Sequence, residues 1–212
     1  DSEFIVQQFI PKEGDLLIYG ARMHDGKTLL AGALLKDRVA DSGSGSHGYM
    51  TRNIPIGVDV SLISQFLEYI DYVGPFSFEY GKVGNKAYFF EVNLRNDGTS
   101  HYFYQLGANI PLAYVYSAAG LDYTQIPTEI SRDGVFVDEI FDVENVLHCK
   151  LSMRQWKSDR KEATVYKYFD KQDIHPYQIV QKGKWKQIIQ DLILKKYRLY
   201  IVYILDKFGL HK

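Results

Sequence analysis

Two short runs constrain this fold more than any other part of the chain: Phe76-Ser77-Phe78-Glu79-Tyr80 and Ala87-Tyr88-Phe89-Phe90-Glu91-Val92-Asn93-Leu94-Arg95. Both are rich in aromatic and aliphatic residues, and Gly81-Lys82-Val83-Gly84-Asn85-Lys86 joins them. They predict two strands of a hairpin. Side chains alternate faces along a strand, so Glu91 and Asn93 share one face, and Glu79 can meet them across the hairpin. Two carboxylates and an amide oxygen suit a hard cation such as Mg²⁺, which also takes phosphate oxygens. The same pattern describes an exposed polar face of an antiparallel hairpin. What favours a site is the sequel, the polar run from Asn93 to His101, placed directly after a strand where binding loops sit.

The rest of the chain supplies a sheet and helices around that hairpin. Phe4 to Ile10 predicts a strand stopped by Pro11, and Lys12 to Asp15 a turn. Leu16 to Met23 and Thr28 to Lys36 predict two further strands about an Asp25-Gly26 turn, making an antiparallel meander. Ser42 to Gly48 is small and polar. It reads either as a surface loop or as a Gly-rich loop whose backbone N–H groups approach an anion. Leu62, Ile63, Phe66, Leu67 and Ile70 recur at helical spacing behind Asp59, a fitting N-cap, and Gly74-Pro75 ends the run. Short helices are expected at His101 to Leu106 and Pro111 to Ala119, each closed by a glycine. Beyond Leu121 we expect a strand at Gly134 to Val137, a helix from Val143 to Trp156, a mixed stretch from Ser158 to Lys171, and a long basic helix from Lys184 to about Phe208. The expected class is α+β: an antiparallel sheet with flanking helices over residues 1–120, then a mostly helical extension over 121–212.

Composition narrows the function classes. A chain of 212 residues suits one domain of ordinary size with a small appendage. Its net charge of −1 argues against a general nucleic-acid binder, which would show a basic surplus. The single cysteine, Cys149, makes no internal disulfide and no Cys-rich zinc site, so a reducing, cytoplasmic setting is expected. No stretch reaches the roughly 18 apolar residues of a membrane span. The six histidines show no paired metal spacing. The basic C-terminal helix reads either as packed on its own domain or as a peripheral contact to a membrane surface or protein partner.

From Phe9-Ile10-Pro11, through Lys36-Asp37-Arg38 and the Gly-rich loop, to Glu79, Glu91-Val92-Asn93-Leu94-Arg95 and Gly107-Ala108-Asn109-Ile110-Pro111, the sequence resembles the ATP-grasp superfamily, in its carboxylate–amine ligase branch. The resemblance covers about Phe4 to Gly120, the C-terminal subdomain of that fold. It implies ATP and Mg²⁺, with Mn²⁺ as a substitute, as cofactors, and a small carboxylate and an amine as substrates. It implies an adenine hinge at Gln7, Gln8, Phe9 and Ile10, with the Gln8 carbonyl and the Ile10 N–H reading the base. Gln7 stands where the family often has a Glu. Asp15 or Glu13 would take the ribose hydroxyls, and Glu79, Glu91 and Asn93 would hold the metal. Arg95 would meet the acyl phosphate, and Asn96 to His101 would face the acceptor. Lys36 and Arg38 are either anion contacts or ordinary strand-end charges. The family's N-terminal lobe has no counterpart in these residues, so the chain is expected to be the C-terminal portion of a longer ligase, inactive by itself. The alternative is a nucleotide-binding regulatory or membrane-peripheral module without catalysis.

Overall fold

The computed structural model describes residues 4, 6–184, 186, 190 and 194. The chain forms two compact units, residues 1–167 and residues 168–212. In the first, a meander sets the frame: β1 (Gly14–Arg22), β2 (Thr28–Val39) and β3 (Gly45–Thr51) pair antiparallel in succession. Helix α1 (Val60–Tyr69) then crosses over, and the chain returns as β4 (Gly74–Val83) and β5 (Lys86–Asn93) on the free side of β1. After α2 (Ser100–Gln105) and α3 (Ile110–Ala118), β6 (Gly134–Val137) adds beside β3. Helices α4 (Phe141–Leu147) and α5 (Met153–Glu162) follow, and β7 (Val165–Tyr166) closes the sheet in parallel with β6. The seven strands run β5-β4-β1-β2-β3-β6-β7. The class is the expected α+β, with one parallel pairing in an otherwise antiparallel sheet.

Alternation along β1 and β4 splits the core in two. Leu16, Ile18, Phe76, Phe78 and Tyr80 meet Ile63 and Leu67 of α1 on one face. Leu17, Tyr19, Ala21 and Leu34 meet Phe103, Leu106, Ile110 and Ala113 of α2 and α3 on the other. Each buried side chain of this size is worth roughly 1.5–3 kcal/mol, so the central strands are anchored from both sides. Asp59 caps α1 as expected, accepting the Ser61 N–H at 2.9 Å. Asn109 caps α3, accepting the Leu112 N–H at 3.2 Å.

Two expectations are corrected. Phe4 and residues 6–10 lie outside any strand, and Phe4, Val6 and Phe9 are almost fully exposed. A strand needs a partner edge, and β1 is already paired on both sides. The single helix expected over Val143 to Trp156 is two helices. Cys149 adopts a left-handed φ of 57°, and the Asn145 carbonyl accepts from both Lys150 and Leu151 N–H groups, which ends α4. Ser152 then caps α5 through the Gln155 N–H at 3.1 Å. The Gly-rich stretch lies at the β2–β3 hairpin: its tip is held by the Ala40 N–H donating to the Ser44 carbonyl, and Ser46 and His47 are buried. Beyond residue 120, β6 and β7 continue the same sheet.

In the second unit residues 175–184 are helical, and the Asp173 carboxylate accepts the His175 N–H at 3.1 Å. Phe169 and Tyr177 meet edge to face at 5.6 Å. The helix expected from Lys184 to about Phe208 lies almost wholly outside the described residues. Among the described residues no helix is long and apolar enough to cross a membrane.

Candidate functional site

The hairpin of β4 and β5 turns on Gly84-Asn85, with Val83 opposite Lys86 and Gly84 at a φ of 55° that glycine adopts without strain. Counting back from that turn, Gly81 faces Tyr88 and Tyr80 faces Phe89. Regular pairing would next set Glu79 against Phe90. Instead the register shifts, so that Glu79 stands directly opposite Glu91, Phe78 opposite Val92 and Ser77 opposite Asn93. Phe90 is the extra residue of a β-bulge, and its ring lies over Gly81, where a Cβ would come within 2.6 Å of it. The bulge lets Phe89 join Phe78 and Tyr80 on the α1 face while Glu91 turns to the side of Glu79. Directly opposed residues in an antiparallel pair have Cβ atoms about 5 Å apart, close enough for two carboxylates to share one cation.

Glu79 has a cationic partner from two strands away. The Lys36 Nζ on β2 lies 3.0 Å from Glu79 Oε2, and only 13% and 24% of the two side chains are exposed. Asp15 on β1 lies opposite Lys36 on one side and Gly81 on the other, two residues before Leu17, which faces Glu79. The Asp15 carboxylate pairs with Lys12. Glu13 accepts the Gly84 N–H at 3.2 Å. Arg95 is exposed beyond the end of β5, with its Nη2 3.5 Å from Asn93 Oδ1.

The loop after β5 is pinned from below. Tyr19 of β1 donates its hydroxyl to Asn96 Oδ1 at 2.8 Å, and Ser77 of β4 donates to Asp97 Oδ2 at 2.6 Å. Asp97 also accepts the Thr99 N–H at 2.8 Å, shaping the turn into α2. Burial, helped by the nearby Asp97 charge, pushes the Tyr19 hydroxyl well above the ordinary tyrosine range, so it stays a donor at all working pH values. Sequence reasoning missed Tyr19 and Ser77, whose positions in buried strands carry no local signal. The Asp97-Gly98-Thr99 turn was legible in principle, since Asp accepts from the N–H two residues on.

The other expected residues are placed as follows. Gln7, Gln8 and Phe9 are exposed and Ile10 is half-buried, with the Ile10 carbonyl accepting the Lys12 N–H at 2.8 Å. Arg38, an alternative anion contact, is engaged elsewhere: it binds Asp142 through Nε at 2.7 Å and Nη2 at 3.0 Å, and Asp159 through Nη2 at 2.8 Å. It therefore ties β2 to α4 and α5. His101 is exposed in the first turn of α2.

The donor chemistry fits Mg²⁺ or Mn²⁺. Glu79, Glu91 and the Asn93 amide offer hard oxygens only, from adjacent strands and on one side. Among the described residues no group of three or more His, Cys, Asp or Glu side chains gathers as a metal centre.

This arrangement shares its fold with several solved structures, in keeping with the expected α+β class and with the resemblance to the ATP-grasp fold. The solved structures it matches include the phosphoribosylaminoimidazole carboxylase ATPase subunit of Aquifex aeolicus, with a TM-score of 0.53 and 17% identity over 70% of this chain and 49% of that one. N5-carboxyaminoimidazole ribonucleotide synthetase of Thermus thermophilus matches at 0.51 and 18%, over 68% of this chain and 41% of its own. The N5-carboxyaminoimidazole synthetase of Staphylococcus aureus, solved with ADP, matches at 0.50 and 11%, over 68% and 40%. The chain thus spans less than half the length of each. No protein-family model matches the sequence, and none of the curated proteins does.

Proposed function

We propose that this chain forms the metal-binding and phosphate-binding part of an ATP-dependent ligase that joins a carboxylate to an amine. The observation that carries the reading is the bulged register that brings Glu79 opposite Glu91, with Asn93 two residues on and Lys36 at 3.0 Å. The likeness to a synthetase solved with ADP supports a nucleotide as the ligand. The rest of the site, including the lobe that would face this sheet, belongs to the whole ligase in this proposal. Its setting is the cytoplasm, and the basic C-terminal segment is its candidate contact to a membrane surface or protein partner.

Each residue then has a task that follows from its chemistry. A carboxylate is a poor electrophile. Transfer of the γ-phosphoryl group of ATP to its oxygen gives an acyl phosphate and ADP, and the amine nitrogen then attacks the carbonyl carbon as phosphate leaves. Phosphoryl transfer needs positioning and charge neutralisation more than covalent help. Glu79, Glu91 and Asn93 would hold Mg²⁺, which when bound neutralises phosphate charge. Arg95 presents a planar fork of donors that suits two oxygens of a phosphate or carboxylate. Lys36 supplies a compact cation from the sheet itself. The Gln8 carbonyl and the Ile10 N–H of the Gln7, Gln8, Phe9 and Ile10 stretch would meet the adenine edge, and Asp15 would accept from the ribose hydroxyls. Tyr19 and Ser77 fix the Asn96 to Ser100 loop, and with it the side from which the acceptor enters.

Calorimetry of ATP binding with and without Mg²⁺ tests this reading. The native protein should bind ATP at least roughly tenfold more tightly with Mg²⁺, and Glu91→Ala should erase that gain, as expected when one of three metal ligands is lost. A magnesium effect that survives Glu91→Ala would refute the assignment.

A further inference from the structure

We propose that Lys36 is the resident counter-cation of the metal position, and that a divalent cation enters by displacing its ammonium from Glu79. The inference rests on Glu79, Glu91 and Asn93 being the metal ligands, and it adds a rule for how that site is filled.

Two carboxylates directly opposite each other on neighbouring strands repel, and such pairs destabilise a sheet. Glu79 and Glu91 are such a pair. The Lys36 ammonium, 3.0 Å from Glu79 Oε2, offsets one of the two charges. Its access is built into the sheet. A Cβ at Gly45 would lie 3.0 Å from Lys36 Cδ and 3.1 Å from Cγ, so glycine there leaves room for the lysine stem. The neighbouring charges are committed elsewhere: Lys12 holds Asp15, and Arg38 is bound by Asp142 and Asp159. Arg95 reaches Asn93 rather than Glu79. A divalent cation ligated by Glu79 needs the oxygen edge that Lys36 occupies, and two cations on one edge repel. A lysine head on a flexible four-carbon stem can leave that edge with little rearrangement. Metal affinity is therefore set partly by the cost of moving Lys36.

Mn²⁺ titration of the 212-residue chain, followed by the EPR signal of free Mn²⁺ in the absence of nucleotide, tests this. Lys36→Met, and Lys36→Gln as a second variant with a polar head, should bind Mn²⁺ roughly three- to tenfold more tightly than the native chain, while Lys36→Arg should stay near native. Lys12→Met removes a charge nearby without touching Glu79, and should change the affinity less than about twofold if direct contact is what matters. Circular dichroism confirms which variants are folded. Unchanged or weaker binding in folded Lys36→Met or Lys36→Gln overturns the exchange, and so does an equal gain in Lys12→Met. Mn²⁺ binding that does not fall in Glu91→Gln overturns the ligand set, and this inference with it.

Discussion

Lys36 and Arg38 stand two residues apart on β2, and similar cations meet different fates there. A register shift between them separates their surroundings. Lys36 keeps a single carboxylate at the edge of the candidate site. Arg38 is enclosed by Asp142, which is fully buried, and by Asp159. Its planar fork meets the Asp142 carboxylate through two nitrogens, a geometry that lysine cannot copy. The two carboxylates hold the Arg38 guanidinium above its ordinary range against the opposing effect of burial, so it remains charged. Arg38→Met would leave Asp142 buried without its cation. We expect a loss of about 3–5 kcal/mol in urea unfolding, because breaking a buried pair from one side leaves an uncompensated charge. Native-like stability in that variant would show that the network is not structural.

At the scale of elements, the β-bulge at Phe90 decides what the hairpin can do. The turn at Gly84-Asn85 and the positions of the two glutamates disagree by one residue, and a one-residue slip sends every side chain to the other face. The extra residue absorbs the mismatch. Deleting Phe90 alone should keep Glu79 opposite Glu91 and leave Mn²⁺ affinity within about threefold of native, whereas deleting Phe89 and Phe90 together should lower it by more than about tenfold by turning Glu91 to the α1 face. Equal affinities in the two deletions would mean that the register does not build the site. The shared face of Glu91 and Asn93 was legible from alternation, as were α1 with its Asp59 cap, α2, α3 and the strand at Gly134 to Val137. The bulge was not, because a sequence states spacing along one strand but not the partner's count. The break at Cys149 had a readable sign in Ser152-Met153-Arg154-Gln155, a capping box, outweighed by the apolar residues on either side. Phe4 to Ile10 misled for the opposite reason. Its strand-forming residues are real, but strand propensity reports fit to a sheet, and the adjoining β1 is already paired on both sides.

For the whole molecule, the order β5-β4-β1-β2-β3-β6-β7 places the candidate ligands at one edge of the sheet and the Arg38 network toward the other side. The segment between α3 and β6 is fastened along its course: Asn109 donates to the Pro127 carbonyl, Ile130 to the Ala31 carbonyl and Ser131 to the Leu106 carbonyl. Residues beyond 120 are thus part of what holds the sheet, which the change of character in the sequence there did not reveal. In this frame β1 is anchored by cores on both faces and β4 by the core on its α1 face, while β5 at the ligand edge is largely exposed. The most direct test of the central claim is anomalous diffraction from crystals of the chain grown with Mn²⁺. The account predicts one strong manganese peak bonded to carboxylate oxygens of both Glu79 and Glu91 and to Asn93 Oδ1, at about 2.0–2.3 Å, with the Lys36 ammonium moved off Glu79. A peak elsewhere, with Lys36 still paired to Glu79, would contradict it.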